Sequence, residues 1–141
     1  GYGNQEEVSK LLQPGGVLKT IISQIHDVKT GDAVGYNRGF VANKPIRSAT
    51  LPIGHADGIG RLYGKGKGAV IIHGQKAPIL GNVCMDMIMV DVTSIDCNEG
   101  DEVIVFGSVD TSAEIVAEHA DTISYELLTA ISQRVPRVII P

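Results

Sequence analysis

Two early segments of the chain carry the pattern of β-strands. Residues 17–28 (VLKTIISQIHDV) alternate loosely between apolar and polar positions and are rich in β-branched side chains. They then meet the turn signal KTGD before the short apolar stretch AVGY, which predicts two strands joined by a turn. Residues 46–53 form a further apolar run with Pro52 near its end, and they predict another strand.

The middle of the chain continues the β pattern. Residues 69–80 (AVIIHGQKAPIL) predict a hairpin that turns at His73-Gly74-Gln75. Residues 87–92 alternate between Ile or Val and a mixed set of Met and Asp. This alternation predicts a strand with one fully apolar face and one softer face. Residues 102–106 predict the last strand.

The hydrophobic period becomes helical near the C-terminus. Residues 111–114 (TSAE) have the form of a capping box, and the following AEIVAEHA repeats its apolar positions at helical spacing. A second helix is predicted over residues 124–133. Its apolar stripe consists of Ile123, Leu127, Leu128 and Ile131. The pattern as a whole predicts a mostly β architecture with two late helices.

Length and composition limit the number of domains. The chain has 141 residues, enough for one compact core and too few for two full catalytic domains. No repeat or long linker divides it, so we expect residues 1–141 to form a single domain. The 17 glycines imply many tight turns, which favours a β-rich fold. The chain does not begin with methionine, and we expect it to be a piece of a longer protein.

Charge and hydropathy indicate which binding partners and which cellular compartment to expect. A net charge of −4 and a pI of about 5.5 argue against nucleic acid as a partner. No apolar run approaches the ~20 residues that span a bilayer, and the start of the chain lacks the features of an export signal. We therefore expect a cytoplasmic protein with no membrane partner. Cys84 and Cys97 are too few for a disulfide framework, and we expect two free thiols.

The glycine-rich stretch at residues 58–68 (GIGRLYGKGKG) suggests a phosphate-binding loop but lacks the required spacing. Gly60 is one residue too close to the Gly-Lys pair at 64–65, and Gly66 stands where a Ser or Thr must bind magnesium. Tyr63 occupies the place of the third glycine in the dinucleotide fingerprint. We therefore predict a solvated basic turn between strands.

The histidines define no metal site by their spacing. Three of them stand apart with no second ligand nearby in sequence, and we interpret them as surface or packing residues: His26, His73 and His119. The fourth, His55, lies in PIGHADG, where a base, a metal ligand and a packing residue all remain open. One sequence cannot show whether His55 and Asp57 lie near Cys84 and Asp86. We expect no bound metal.

Five motifs in register resemble one family. They are GDAVGYNRGF at 31–40, PIGHADG at 52–58, GNVCMDMIMVDV at 81–92, GDEVIVFG at 100–107 and TISYELLTAISQRVPR at 122–137. In this order they resemble the carboxy-terminal domain of alanine racemase, and the resemblance covers almost the whole chain. It implies a mainly β fold, a compact β-barrel-like domain with two short helices near the C-terminus. It also implies that an N-terminal barrel domain, with the lysine that carries pyridoxal phosphate, precedes this chain.

The resemblance gives Tyr36 a catalytic role. In the family, the cofactor lysine and a tyrosine of the partner subunit face opposite sides of the substrate α-carbon. That tyrosine follows Val-Gly, which implies that Tyr36 is the base acting on the L-isomer. A tyrosine ordinarily loses its proton near pH ~10, and the cations that activate the family's tyrosine belong to the barrel domain. The residues alone leave open a strand-end tyrosine that only packs.

Further roles follow from the same resemblance. Met85 matches the position whose backbone N–H contacts the substrate carboxylate, although a buried packing residue is the competing interpretation. Tyr125 matches a tyrosine whose hydroxyl reaches the cofactor phosphate, and packing is again the alternative. His55 replaces the tyrosine of the usual GYADG, so we interpret it as a substrate-binding residue at the active-site entrance rather than the base. We expect Asp57 and Gly58 to shape the turn.

The leading hypothesis is a pyridoxal-phosphate-dependent isomerase that interconverts L- and D-alanine for cell-wall peptidoglycan synthesis. It implies a cytoplasmic homodimer that acts on a small amino acid, and a fragment that is inactive by itself. One alternative is a related decarboxylase of basic amino acids or a racemase of another amino acid, although CMD matches the alanine racemases better. The other alternative is a dimerisation module without catalysis of its own.

Overall fold

The computed structural model describes residues 15–107 and 111–141. Within these ranges the backbone is mainly β, followed by two short helices. The strands are β1 (Leu18–Ile21), β2 (Gln24–Val28), β3 (Ala33–Val34), β4 (Phe40–Val41), β5 (Ile46–Leu51), β6 (Ala69–Ile72), β7 (Gln75–Leu80), β8 (Ile88–Asp91) and β9 (Glu102–Phe106). The helices are α1 (Ala113–Glu118) and α2 (Ser124–Ala130). The predicted fold class is confirmed.

One antiparallel sheet of seven strands has the order β1-β9-β6-β7-β8-β5-β2. Its two edge strands, β1 and β2, follow one another along the chain and are separated only by Ile22 and Ser23. The N–H of Ile22 donates to the carbonyl of Asp101, next to β9, and the N–H of Ser23 donates to the carbonyl of Thr50 in β5. The same stretch of chain therefore supplies both edges, so the sheet curls into the expected barrel-like shape.

The early strands differ from the sequence prediction in two ways. Residues 17–28 are two strands, because the fully buried Ile22 lies where the backbone passes from one neighbour to another. The stretch AVGY does contain a strand, β3, but β3 does not pair with β2 across the KTGD turn. Instead β2 pairs along its whole length with β5, and β3 forms a separate hairpin with β4.

The main apolar core lies inside the curled sheet, and β8 shows how the strands build it. Ile88 and Val90 are fully buried in this core, as is Val92 just beyond the strand. On the opposite face, Met89 packs with Val34 in a smaller cluster near the β3–β4 hairpin. This confirms one fully apolar face and one softer face. Each fully buried Ile, Val or Leu contributes roughly 1.5–3 kcal/mol to folding.

The first helix starts one residue later than the capping box predicts. Ser112 has non-helical backbone angles, and its Oγ accepts a hydrogen bond from the N–H of Ile115 at 3.3 Å. Ser112 is therefore the N-cap, and the buried Thr111 precedes it. A serine oxygen at this position satisfies one of the N–H groups that the first turn leaves unpaired.

The second helix ends at Ala130 rather than at residue 133. Beyond it the chain turns, and the N–H of Ser132 donates to the carbonyl of Asp57 at 3.1 Å, a partner that no local pattern reveals. Leu127 is buried as predicted, whereas Ile123 is the N-cap residue and is 64% exposed. Across the described residues, no helix has the length and apolar character to cross a membrane.

The hairpin predicted in residues 69–80 is confirmed, and its turn depends on glycine. Ile72 in β6 faces Gln75 in β7 across the two residues His73 and Gly74. Their φ angles are 49° and 76°, both positive as a type I′ turn requires. An added Cβ at Gly74 would meet no atom within 4 Å, so only the backbone conformation demands glycine there.

We predict that Gly74→Ala lowers the free energy of unfolding by about 1 kcal/mol, because a side chain disfavours the left-handed region. Gly15→Ala is the matched control, since a Cβ there also meets no atom within 4 Å and its φ is not left-handed. Equilibrium urea unfolding of both variants of the complete protein measures the difference. Equal stability of the two variants would contradict the turn assignment.

Candidate functional site

Tyr36 occupies a tight turn between β3 and β4. The turn, Tyr36–Arg38, follows Gly35, whose φ of 75° suits glycine, and it includes Asn37 in the left-handed region. The Nδ2 of Asn82 donates to the carbonyl of Tyr36 at 3.2 Å, which fixes the main chain of the turn. The Tyr36 side chain itself is exposed, with the residue 49% accessible. The turn therefore presents a phenol to the surroundings of the domain.

The segment that holds this turn is the central loop, residues 81–87, between β7 and β8. At its start, an added Cβ on Gly81 would lie 2.9 Å from the carbonyl of Val34 in β3, so the two backbones are in close approach. Met85, in the middle of the loop, is 60% exposed. Its carbonyl accepts a hydrogen bond, while its N–H has no partner among the described residues. That N–H is available to an external acceptor.

The turn at His55–Asp57 lies against the other half of the central loop. The N–H groups of His55 and Ala56 donate to the carbonyls of Cys84 and Met85 at 2.8 and 2.9 Å. An added Cβ on Gly54 would lie 2.5 Å from the carbonyl oxygen of Cys84, so this contact requires glycine. The question left open by the sequence is answered: the turn with His55 and Asp57 does pack against Cys84 and its neighbours.

The His55 side chain is exposed, and its Nδ1 lies 3.3 Å from the carbonyl of Ile59. With a hydrogen on Nδ1 the ring donates to that oxygen and leaves Nε2 free. Within the described ranges, no group of three His, Cys, Asp or Glu residues is arranged to hold a metal ion. The ring therefore has the position of a surface residue beside the central loop.

Asp57 does more than shape its turn. Its carboxylate is buried, and Oδ2 accepts the N–H of Gly54 at 2.7 Å, as expected for a turn-forming Asp. In addition, Nε and Nη2 of Arg134 donate to its two oxygens at 2.7 and 3.2 Å. Nη2 also donates to Oδ1 of Asp86 at 2.6 Å. One guanidinium therefore links the His55 turn, the central loop and the chain after α2.

These contacts shift both partners in the directions expected of an ion pair. The hydrogen bonds from Arg134 lower the pKa of Asp57, burial opposes this effect, and the bond from Gly54 lowers the pKa further. The hydrogen bonds to Asp57 and then to Asp86 raise the pKa of Arg134. Arg134 was not predicted from the sequence. No local pattern indicated it, because only the fold shows that Asp57 is buried and therefore requires a cation or several donors that its own turn does not supply.

The other tyrosines have different surroundings. Tyr125 lies in the first turn of α2 and is 52% exposed, so its hydroxyl is accessible. The structure describes no hydrogen bond between Tyr125 and the central loop. The far end of α2 does approach the site, since an added Cβ on Gly58 would lie 2.5 Å from the carbonyl of Ala130.

Tyr63 is buried, and desolvation raises the pKa of its hydroxyl, with the Glu126 charge adding to the effect.

A cationic cleft adjoins the central loop. Its volume is about 400 Å³, and three of its lining side chains are Arg61, Lys65 and Lys67. Asn82, which holds the Tyr36 turn, lines it too. Lys65 and Lys67 are exposed on the glycine-rich turn, as predicted for a solvated basic segment. A cleft with this charge attracts small anions such as carboxylates.

Comparison with known proteins identifies the family. Residues 17–139 match the family described as alanine racemase, C-terminal domain. An alanine racemase of Halothermothrix orenii is 47% identical over 130 residues, which are 89% of this chain and 34% of that protein. An alanine racemase of Clostridium novyi is 44% identical over 149 positions, covering 99% of this chain and 38% of the relative.

Solved structures give the same result. The alanine racemase of Clostridium difficile 630 in complex with cycloserine is 38% identical and has a TM-score of 0.86, over 96% of this chain and 36% of that one. The alanine racemase of Bartonella henselae with covalently bound pyridoxal phosphate is 35% identical and has a TM-score of 0.83, over 88% and 34%. The chain therefore spans about a third of the length of these relatives.

The curled antiparallel sheet, with its exposed tyrosine turn and anchored central loop, is a β domain of the kind found in these longer proteins. The chain belongs to the alanine racemase C-terminal domain family.

We predict that Asp57→Asn lowers the free energy of unfolding of the complete protein by about 1–3 kcal/mol at pH 7, because it removes the buried charge that pairs with Arg134 and one of the two acceptor oxygens that Arg134 and Gly54 share. The pKa of this carboxyl is lowered in the folded state from its ordinary 3.8. Its contribution is therefore fully present above about pH 3.8 and disappears as the pH falls through the folded-state value.

Urea unfolding of wild type and Asp57→Asn at pH 7, 5 and 3 measures this dependence. The difference between them should be the same at pH 7 and 5 and smaller at pH 3. Asp27→Asn is the control, since Asp27 is exposed on β2 and its carboxylate has no hydrogen bond in the described ranges. A difference that grows towards acid pH would contradict the ion pair.

Proposed function

We propose that this chain is the carboxy-terminal domain of a pyridoxal-phosphate-dependent alanine racemase, which interconverts L- and D-alanine for peptidoglycan synthesis. The observation that carries the proposal is the exposed Tyr36 on a turn whose main chain is held by Asn82 of the central loop. An accessible phenol on a turn whose main chain is held suits a group that exchanges a proton with a substrate bound by another domain.

Racemisation requires proton transfer at both faces of the α-carbon. In the proposed arrangement Tyr36 acts at one face, in the active site of the partner subunit of a homodimer. A lysine of the N-terminal barrel domain acts at the other face. Tyr36 removes the α-proton of L-alanine, and it returns a proton to the same face when D-alanine is the starting isomer. The buried Tyr63 is unsuited to this role because its hydroxyl cannot reach a substrate.

The substrate carboxylate is assigned to the backbone N–H of Met85. This N–H is on an exposed loop, and no described residue accepts from it. The nearby cleft with Arg61, Lys65 and Lys67 supplies positive potential that favours the approach of a carboxylate. Both features suit a small amino acid as substrate.

This chain supplies a residue that can contribute one contact to bound pyridoxal phosphate. The hydroxyl of Tyr125 is accessible at the start of α2 and can donate one hydrogen bond to a phosphate oxygen. A phosphate needs several donors, so the N-terminal barrel domain holds the group in the main. When bound, the cofactor supplies an electron sink that makes the α-proton of the amino acid more acidic.

We predict that Tyr36→Phe in the complete protein slows exchange of the α-proton of L-alanine with deuterated solvent by about 10²- to 10⁴-fold, the usual cost of losing a positioned base. Exchange from D-alanine should slow far less, because the lysine faces its α-proton. The measurement is proton NMR of each isomer in deuterated buffer with pyridoxal phosphate, together with a thermal melt.

Tyr125→Phe is the matched control for Tyr36→Phe, because it also removes one exposed hydroxyl. It should affect the two isomers equally, since it acts through the phosphate. Equal slowing of both isomers by Tyr36→Phe would contradict its role as a one-sided base. A wild-type protein that releases CO₂ from basic amino acids would indicate the decarboxylase, and one that dimerises without turnover would indicate a dimerisation module.

We predict that His55→Tyr in the complete protein keeps kcat and KM for alanine within about threefold of wild type. The reason is that His55 is held through its backbone N–H, which a substitution leaves intact, while its ring is exposed. Steady-state kinetics of both isomers measures the outcome. His55→Ala distinguishes a need for a ring from a need for an imidazole. A loss of kcat greater than about 100-fold in His55→Tyr would assign His55 an essential proton-transfer role.

A further inference from the structure

Arg134 is placed to control the position of the central loop. Its guanidinium donates to both oxygens of Asp57 and to Oδ1 of Asp86. These carboxylates belong to different segments, so one side chain fixes the distance between them. The planar fork of arginine can meet two carboxylates at once, which a lysine ammonium on a single stem does less well.

Each carboxylate is coupled to the peptide at Met85 by a different route. Asp57 closes the turn in which Ala56 donates to the carbonyl of Met85. Asp86 is the next residue in the chain after Met85. Both routes restrain the peptide unit between Met85 and Asp86, one through the hydrogen bond to its carbonyl and one through the ion pair of Asp86. The N–H of Met85 belongs to the preceding peptide unit, whose Cys84 carbonyl accepts the N–H of His55 at 2.8 Å. Without the guanidinium, only the two hydrogen bonds from the turn, to the carbonyls of Cys84 and Met85, would remain.

The segment that carries Arg134 is itself well fixed. The guanidinium of Arg137 donates to the carbonyls of Ile131, Ser132 and Val135, which holds the turn after α2. Arg134 lies within this turn, so its backbone is held in place while its side chain restrains the central loop.

We propose that Arg134 is a positioning residue, which acts through Asp86 to hold the N–H of Met85 where the substrate carboxylate binds. This inference rests on the proposed function and deepens it, because it identifies the group that prepares the carboxylate site. Loss of the Arg134–Asp86 contact then weakens binding of both isomers equally and leaves proton transfer by Tyr36 unchanged.

Asp86 allows positioning to be separated from stability. The Asp57 side chain is 11% exposed, so its pair with Arg134 also holds the fold together. The side chains of Asp86 and Arg134 are 66% and 49% exposed, and an ion pair so accessible contributes little to stability. A purely structural role therefore predicts that Asp86→Asn changes nothing, whereas a positioning role predicts weaker substrate binding.

The first experiment measures steady-state kinetics and melting of the complete holoenzyme carrying Asp86→Asn. We expect KM for L- and D-alanine to rise together by about 3- to 10-fold with kcat within about twofold, because a misplaced binding group affects ground and transition states alike. The melting temperature should stay within about 2 °C of wild type. An unchanged KM, or a fall in kcat alone, would overturn the proposal.

Two further variants complete the design. Glu102→Gln breaks the exposed pair of Lys19 and Glu102, whose atoms are 3.0 Å apart between β1 and β9, and should leave KM unchanged. Arg134→Lys keeps the charge but bridges the two carboxylates less well, so it should raise KM as Asp86→Asn does. Adding Asp86→Asn to Arg134→Lys should change KM by less than about twofold further, since both act through one contact. Additive effects would show that they act separately.

A direct binding measurement separates this inference from the proposed function. Propionate has the carboxylate and carbon chain of alanine without its amino group, and calorimetry with the holoenzyme gives its Kd without turnover. Asp86→Asn should raise this Kd by about the same 3- to 10-fold as KM. A wild type that binds propionate but does not racemise alanine would contradict the proposed function alone. Equal Kd values in wild type and Asp86→Asn would contradict the positioning role alone.

Discussion

The buried carboxylate of Asp57 is the interaction on which the arrangement of the site depends. A buried charge is costly unless it is paired and hydrogen-bonded, and Asp57 meets this demand with partners from two parts of the chain. The N–H of Gly54 binds it from its own turn, and Arg134 binds it from the segment after α2. Because both partners are needed, the His55 turn and the segment after α2 have fixed relative positions. The helix α2 ends at Ala130, two residues before Ser132 donates its N–H to the carbonyl of Asp57.

Close backbone contacts, rather than side-chain packing, hold the central loop against the His55 turn and the Tyr36 turn. The central loop lies against the His55 turn through Gly54 and against the Tyr36 turn through Gly39. A Cβ at Gly39 would come 2.6 Å from Nδ2 of Asn82, so a larger residue would displace the very side chain that holds Tyr36. Such contacts fix the main chain and leave the side chains of Tyr36, His55 and Met85 exposed. This arrangement supports the proposal that the domain completes a site formed with another domain.

Much of the fold was predictable because its signals are local. The turn residues of the β6–β7 hairpin, His73 and Gly74, stand directly between the two strands in the sequence. The alternation in β8 places Ile88 and Val90 in the core. The residues of the candidate site were proposed only by resemblance, from PIGHADG for His55 and CMD for Met85, and no local pattern showed that the two segments touch. The pairing of β2 with β5 and of β3 with β4 was not predictable either, since each strand is too short to specify its partner.

The sequence by itself determined the approximate places of most strands and of both helices, the glycine-containing turn of the β6–β7 hairpin, and which family the motifs resemble. These properties depend on side chains within a few positions of one another, where periodicity and backbone preference act. Only the tertiary structure decided that residues 17–28 supply both edges of the sheet and that Arg134 bridges Asp57 and Asp86. Arg134 lies 77 positions from Asp57 and 48 from Asp86. Which arginine or lysine pairs with Asp57 depends on where the folded chain brings each side chain, and no local pattern encodes that position.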